Sequence, residues 1–308
     1  YGLVGSEMCI RDRPKLFSLY LLLAIGFKGG IEIQKSGFTD QVLPTLSAAI
    51  LMSLVIPLIG FLILRFKFDV FNSAAIAAAY GSISAVTFIS AESFLESQKI
   101  AFDGFMVGAL ALMESPAIIV GLLLVKFAAP KNRPKSRKMH LSAILHESLL
   151  NGSVYLLLSS LIVGFLTASS NPSGIAKMEP FTGQLFYGAE CFFLLDMGIV
   201  AAQRLPRLKN AGSFLIGFAI FMPLFNAFIG VFVARFLSLG PGNALLFVVL
   251  CASASYLAVP AAMRMTVPEA KSSYYISTTL GLTFPFNIVL GIPIYMSLVN
   301  TIIPLSPL

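Results

Sequence analysis

Charge is what this chain of 308 residues has least of. Asp, Glu, Lys and Arg together make up 11% of it, and tryptophan is absent. A soluble domain carries roughly 25% charged residues. Hydrophobic residues account for 57%, and the mean hydropathy is +0.88. Such a chain cannot cover its own surface in water, which excludes both an ordinary soluble enzyme and a disordered polymer. Histidine is almost as scarce. His140 and His146 are the two, and both fall in a basic loop region. A His-dependent catalytic dyad or metal site at membrane depth is therefore excluded. The three cysteines, Cys9, Cys191 and Cys251, form no CxxC, and the last two lie inside apolar stretches. Neither a disulfide framework nor a metal framework is suggested.

What the chain does have is apolar length. A membrane-spanning helix needs about 20 apolar residues. Nine segments qualify: 15–31, 42–64, 70–91, 102–128, 149–169, 181–203, 212–238, 244–263 and 274–303. The expected fold is an all-α polytopic membrane protein. Residues 1–13, YGLVGSEMCIRDR, match nothing else in the chain and resemble a translated sequencing adapter. They are set aside from the fold reasoning, as a fusion scar would be. The natural start is then expected to be missing.

The formal charge of +7 follows membrane topology. With Lys126, Lys131, Arg133, Lys135, Arg137 and Lys138 placed in the cytoplasm, alternation also puts Arg65, Lys67, Arg204, Arg207, Lys209, Arg264 and Lys271 there. The outer ends receive Lys28, Lys35, Lys99, Lys177 and Arg235, a ratio of 13 to 5. This asymmetry fixes the orientation. It predicts a C-terminus outside a plasma membrane. The basic run at 129–148 contains two prolines and reads as a cytoplasmic linker. Its charges serve topology, or else dock anionic lipid or a regulatory protein. Residues 140–150 could form a short interfacial helix.

The two halves echo each other. LLLAIGFKGG (21–30) parallels FLLDMGIVAA (193–202), and IPLIGFLILRF (56–66) parallels MPLFNAFIGVFVARF (222–236). AYGSISAVT (79–87) parallels CASASYLAVP (251–260), and LMESPAIIVGLLL (112–124) parallels TFPFNIVLGIPIY (283–295). The offsets run from 166 to 172 residues. Such a spacing holds five spans, and an odd number forces the second copy into inverted topology, the pattern of secondary transporters. The first copy shows four spans, so a fifth is expected ahead of Pro14. The predicted organisation is a first inverted repeat at 14–128, truncated, the linker at 129–148 and a second repeat at 149–308.

Two spans carry small polar strings that lipid-facing helices do not need: Gly81-Ser82-Ile83-Ser84-Ala85-Val86-Thr87 and Ser253-Ala254-Ser255-Tyr256-Leu257-Ala258-Val259-Pro260. Unwound backbone at membrane depth survives only inside protein or around a water cavity. The freed N–H groups at a half-helix N-terminus bind anions, while hydroxyls and carbonyls suit sodium, a hard cation. Tight packing through small residues is the simpler account of either string alone. Glu114, mid-span before Ser115-Pro116, is costly at that depth and marks a functional candidate. Glu190 and Asp196 lie six residues apart on one span and so face different ways. Thr278, Thr279 and Asn287 add polarity to the last span.

From about Leu16 onward the chain resembles the sodium-dependent bicarbonate transporter family of bacteria. The resemblance is carried by GFKGG (26–30), GSISAVT, ALMESPAIIV, HESLLNG (146–152), the MG of LLDMG, RMTVPEAKSSYYI (264–276) and PFNIVLGIPIY, in order and spacing. It implies ten helices in two inverted repeats, assembled as a homotrimer in the bacterial plasma membrane. It further implies a gate domain, from 15–64 and 149–238, moving against a core domain, from 70–128 and 244–303. By the same resemblance, Ser84, Thr87, Ser253 and Ser255 match polar positions of the two breaks and Glu114 an acidic one; with Ala85 and Val86 the first four are the expected bicarbonate site, and Ser82, Glu114, Tyr256, Thr278 and Thr279 are the expected sodium site, sodium being the coupling ion. No other cofactor is implied. A PII-like regulatory protein at the cytoplasmic face is implied as a partner. The chain departs from the family where Ala85, Val86 and Ala254 replace more polar residues, and where Tyr256 replaces an Asp. These departures bear on the identity of the anion and on the number of sodium ions. The competing readings are a carrier of another small anion and, remotely, an intramembrane enzyme.

Overall fold

The computed structural model describes residues 3–37, 40–129, 152–208 and 212–303. The basic linker, both histidines and the expected interfacial helix lie outside them. Every regular element among the described residues is helical: α1 Leu3–Ser36, α2 Val42–Leu64, α3 Val70–Gly81, α4 Ala85–Ser97, α5 Phe105–Ala128, α6 Gly152–Ser170, α7 Pro172–Glu179, α8 Leu185–Leu208, α9 Ser213–Phe236, α10 Pro241–Ala252, α11 Ala258–Thr266, α12 Ser272–Thr278, α13 Phe284–Phe286 and α14 Ile292–Ile302. Seven stretches are long and apolar enough to cross a membrane, and Val154–Ser170 and Pro241–Ala252 are shorter apolar helices. These nine match the nine segments read from the sequence. α1 starts well before residue 15 and takes in most of the segment read as foreign.

Two of the long helices bend through three π-helical turns, one at Pro180–Gln184 between α7 and α8, the other at Thr279–Thr283 and at Asn287–Gly291 on either side of α13. Two others are broken outright. α3 stops at Gly81 and α4 restarts at Ala85; α10 stops at Ala252 and α11 restarts at Ala258. The breaks cover 82–84 and 253–257, slightly shorter than the polar strings that predicted them.

Glycine sets the closest helix contact. A Cβ on Gly26 would lie 1.9 Å from Ser160 Oγ, one on Gly30 2.0 Å from the Leu161 carbonyl oxygen, and one on Gly164 2.1 Å from the Phe27 carbonyl oxygen. The GFKGG stretch is thus a small-xxx-small seam between α1 and α6, drawn together by backbone-to-backbone packing because lipid gives no hydrophobic drive. Gly81 plays the same part against α2: a Cβ there would lie 2.2 Å from Pro57 Cγ.

The broken helices are pinned at their outer ends by two asparagines 171 residues apart. Asn72, in the first turn of α3, accepts from the Lys271 backbone N–H at 2.8 Å, in the α11–α12 connection. Asn243, in the first turn of α10, accepts from the Asp103 backbone N–H at 2.8 Å, in the α4–α5 connection, and donates to the Asp103 carboxylate at 2.6 Å. Each broken helix therefore anchors the far end of the other. Asp69 starts α3 by accepting from the backbone N–H groups of Phe71 at 2.9 Å and Asn72 at 3.0 Å, an N-cap that satisfies donors the helix cannot.

Candidate functional site: the crossing of the two broken helices

Both helices enter their breaks in the same way. Ser82 (φ −94°, ψ 170°) and Ser253 (φ −80°, ψ 172°) turn the chain from helix to extended backbone one residue past the last helical one. The two extended stretches then bond to each other across the crossing. The Ser255 N–H donates to the Ala79 carbonyl at 2.8 Å, taking up one of the carbonyls that the end of α3 leaves open. The same offset of 171 residues would pair the Ser84 N–H with the Leu250 carbonyl. Instead the Ser253 hydroxyl stands between them, accepting from Ser84 N–H at 3.1 Å and donating to the Leu250 carbonyl at 3.1 Å.

The restarts differ more. Ser84 is the N-cap of α4; its hydroxyl oxygen accepts from the Thr87 N–H at 3.2 Å and the Thr87 hydroxyl at 2.9 Å. α11 has Leu257 at the cap position, with no side-chain cap bond, and the nearest help is Ser255, whose Oγ accepts from the Val259 N–H at 3.3 Å.

Between the two restarts is a cavity of about 40 Å³. Ile83, Ser84, Ala85 and Val86 line it from the first broken helix, Ser255, Tyr256, Leu257 and Ala258 from the second, Glu114 from α5, and Ser18 and Leu22 from α1. The first residues of two helices therefore face one small space, each bringing the positive end of its dipole. One water needs about 10–15 Å³ on this measure, so the space suits three waters or a small anion of a few heavy atoms. Glu114, only 7% exposed, adds a buried carboxyl group. Tyr256 is 6% exposed, and its hydroxyl lies toward Ser84 without making a hydrogen bond of ordinary geometry.

Six of the residues expected from sequence thus meet at the cavity: Ser84, Ala85, Val86, Ser255, Tyr256 and Glu114. Thr87, Ser253 and Ser82 stand one layer back. Thr87 and Ser253 hold Ser84, and Ser82 Oγ donates to the Glu114 backbone carbonyl at 3.1 Å. Thr278 and Thr279 are not brought in: both hydroxyls turn onto carbonyls of their own helix, Thr278 to Tyr274 at 2.7 Å and Thr279 to Tyr275 at 2.7 Å. Asn287 supports the site from outside. It donates to the Ala252 carbonyl at 3.0 Å and accepts from the Tyr295 hydroxyl at 2.7 Å, closing the end of α10. Ser18 escaped the sequence reading because a lone serine in an apolar span carries no pattern. No groups of three or more His, Cys, Asp or Glu able to hold a metal ion occur among the described residues.

No curated protein sequence matches the chain. A family model described as the Na+-dependent bicarbonate transporter superfamily does match it, over residues 2–300. That superfamily comprises transporters rather than enzymes. With nearly its whole length matched, and with apolar helices of spanning length built around a crossed pair of broken ones, the chain belongs to the Na+-dependent bicarbonate transporter superfamily.

Proposed function

We propose that the chain is a sodium-coupled symporter that carries bicarbonate across a bacterial plasma membrane by alternating access, with the crossing of the broken helices as its transport site. The observation that carries this reading is the joint placement of two helix N-termini and one carboxylate around a single space of about 40 Å³. The N-termini favour an anion. Glu114 opposes one unless a cation enters as well. Obligatory pairing of anion and sodium is the electrostatic consequence, and it is what coupling requires. The side chains of Ser84, Ser255 and Tyr256 offer hydroxyls to the anion. Ser82, Glu114 and Tyr256 remain the sodium candidates near the site, while the self-bonded Thr278 and Thr279 are weaker ones.

The anchor pair Asn72 and Asn243, 171 residues apart, and the Ser82 and Ser253 pair at the same offset support two inverted repeats. A gate domain from 15–64 and 149–238, working against a core from 70–128 and 244–303, is part of the proposal. So are an exterior C-terminus, assembly as a homotrimer and a PII-like partner at the cytoplasmic face; the last two rest on the resemblance alone.

The deciding measurement is uptake of radiolabelled bicarbonate into proteoliposomes with and without an inward sodium gradient. Uptake that rises with the gradient is expected. Uptake of bicarbonate indifferent to sodium would sink the symport reading, and sodium-driven uptake of a different small anion would move the assignment to that anion. Glu114→Gln is expected to weaken the sodium dependence. If that variant keeps its full sodium response, Glu114 is structural.

A further inference from the structure

Away from the basic ends of the bundle, on the side that the charge asymmetry assigns to the exterior, a second cavity of about 640 Å³ opens between α1, α4, α5 and the α7–α8 turn. It shares two walls with the break cavity. On α1, Leu22 faces the break cavity and Ile25 the larger one. They are three positions apart, about 4.5 Å at 1.5 Å of rise per residue. On α4, Val86 faces the first and Glu92 the second, about 9 Å apart by the same rise. What lies between is apolar: Leu22, Ile25 and Ile89 are exposed by 4%, 2% and 1%.

The charges in the larger cavity are mixed and unevenly paired. Lys35 pairs with Glu32 at 2.9 Å. Glu96 accepts from the Tyr187 hydroxyl, and Ser93 donates to Glu190 at 2.7 Å. Lys28 is different. Its Nζ sits 4.7 Å from the centre of the Phe186 ring and 5.8 Å from that of Tyr187, and no carboxylate of the described residues lies within 4.0 Å of it. Glu92 and Glu190 act on it electrostatically from beyond 4.0 Å, and with no direct ion pair its ammonium can still meet a ligand.

We infer that the larger cavity is the outer entrance to the transport site, closed in this conformation by the Leu22–Ile25–Ile89 plug, and that Lys28 admits the anion there. The inference rests on the reading of the break cavity as the transport site. An anion moving inward passes from the Lys28 ammonium to the two helix N-termini, one or two helical turns deeper. The surrounding carboxylates concentrate the co-transported cation in the same mouth.

The test uses the whole chain. In proteoliposomes with a sodium gradient, Lys28→Gln is expected to raise the KM for bicarbonate about tenfold, the size of one lost charge-assisted contact. The KM for sodium should move little, and Lys28→Arg should restore the anion KM. An unchanged anion KM in Lys28→Gln overturns the inference. A second variant, Ser93→Cys in a background lacking Cys9 and Cys191, is treated in intact cells with a membrane-impermeant thiol reagent from outside. Labelling that blocks uptake is expected. Absence of labelling, or complete labelling with uptake intact, overturns the inference even if Lys28→Gln fails to fold. Should the unmodified chain show no sodium-driven bicarbonate uptake, the function proposal fails by itself, while external labelling of Ser93→Cys still reports whether this mouth opens outward.

Discussion

The first broken helix and the second perform the same manoeuvre with different chemistry. Each runs twelve residues, turns to extended backbone at a serine, crosses its counterpart and restarts as a helix aimed at the shared cavity. The first is cut short: three residues separate α3 from α4, and a serine caps the restart at once. The second takes five residues, and α11 begins without a side-chain cap. The first ends on a glycine, Gly81, the second on an alanine, Ala252. The glycine is required because the Pro57 ring of α2 fills the space a side chain would need. The first break is held by the Pro57 ring and the Ser84 cap, the second by Asn287 at the end of α10 and by the hydroxyls of Ser253 and Ser255. A site that must hold its ligand and then release it gains from such inequality, because the looser half is free to move while the tighter half keeps the geometry.

Exchanging the two end residues should give the largest effect. Gly81→Ala places a Cβ 2.2 Å from Pro57 Cγ and 2.4 Å from Pro57 Cδ. A proline ring inside α2 cannot rotate away, so the helix itself must shift. Overpacking of this kind costs about 1–3 kcal/mol or more. The expected outcome is a large loss of thermal stability in detergent, with uptake lost as well. Ala252→Gly should cost only about 0.5–1 kcal/mol, the penalty of glycine in a helix. Similar melting shifts for the two variants would mean that Pro57 is not what locks the first break.

Next come the serines that open the breaks. Ser253→Ala removes the acceptor of Ser84 N–H and leaves that donor buried in the crossing, at a cost of about 1–3 kcal/mol. Uptake should fall roughly 5- to 150-fold, at tenfold per 1.4 kcal/mol. Ser82→Ala removes only a donor to the Glu114 carbonyl, and about 0.5–1.5 kcal/mol is expected. Uptake assays of both variants at fixed sodium decide the order, and a greater loss for Ser82→Ala would reverse the assignment of the two halves.

The caps follow. Ser84→Ala deprives α4 of its N-cap, worth about 0.5–2 kcal/mol. Ser255→Ala loses a single 3.3 Å bond at a restart that has no cap to begin with, so its melting temperature should shift less. Both hydroxyls line the cavity, so both variants should raise the KM for the anion. A variant that lost stability and kept its KM would show that its hydroxyl only builds the helix end.

Much of this was legible in the sequence, and the reasons are specific. The nine apolar segments stood out because an apolar run of spanning length has few other uses. The breaks stood out because Ser82–Ser84 and Ser253–Ser255 put polarity where lipid or protein would otherwise accept none. The π-helical turns did not, since Pro180–Gln184, Thr279–Thr283 and Asn287–Gly291 sit inside segments whose composition is unchanged by one extra residue per turn. Asn72 and Asn243 were also missed. Each reads as an ordinary polar residue in a first helical turn, and only their common offset of 171 marks them as a pair.

Thr278 and Thr279 show the remaining gap, and they carry the smallest expected effect. Sequence puts two hydroxyls on a span close to a proline, a natural reading for sodium ligands. In the fold each donates at 2.7 Å to a carbonyl one turn back on the same helix. Composition cannot tell a threonine that bonds its own backbone from one that turns outward. The π-helical turn Thr279–Thr283 begins where these bonds end, on the side away from Tyr275, so the hydroxyls fasten the α-helical turn that leads into it. Replacing either by valine keeps the shape and removes one hydrogen bond, a loss of about 0.5–1.5 kcal/mol. Thr278→Val and Thr279→Val should therefore change the sodium dependence of uptake far less than Glu114→Gln does. Should either valine variant lower the apparent sodium affinity as much as Glu114→Gln, then the coupling ion is held by the last span as well, and the crossing of the broken helices is only part of the site.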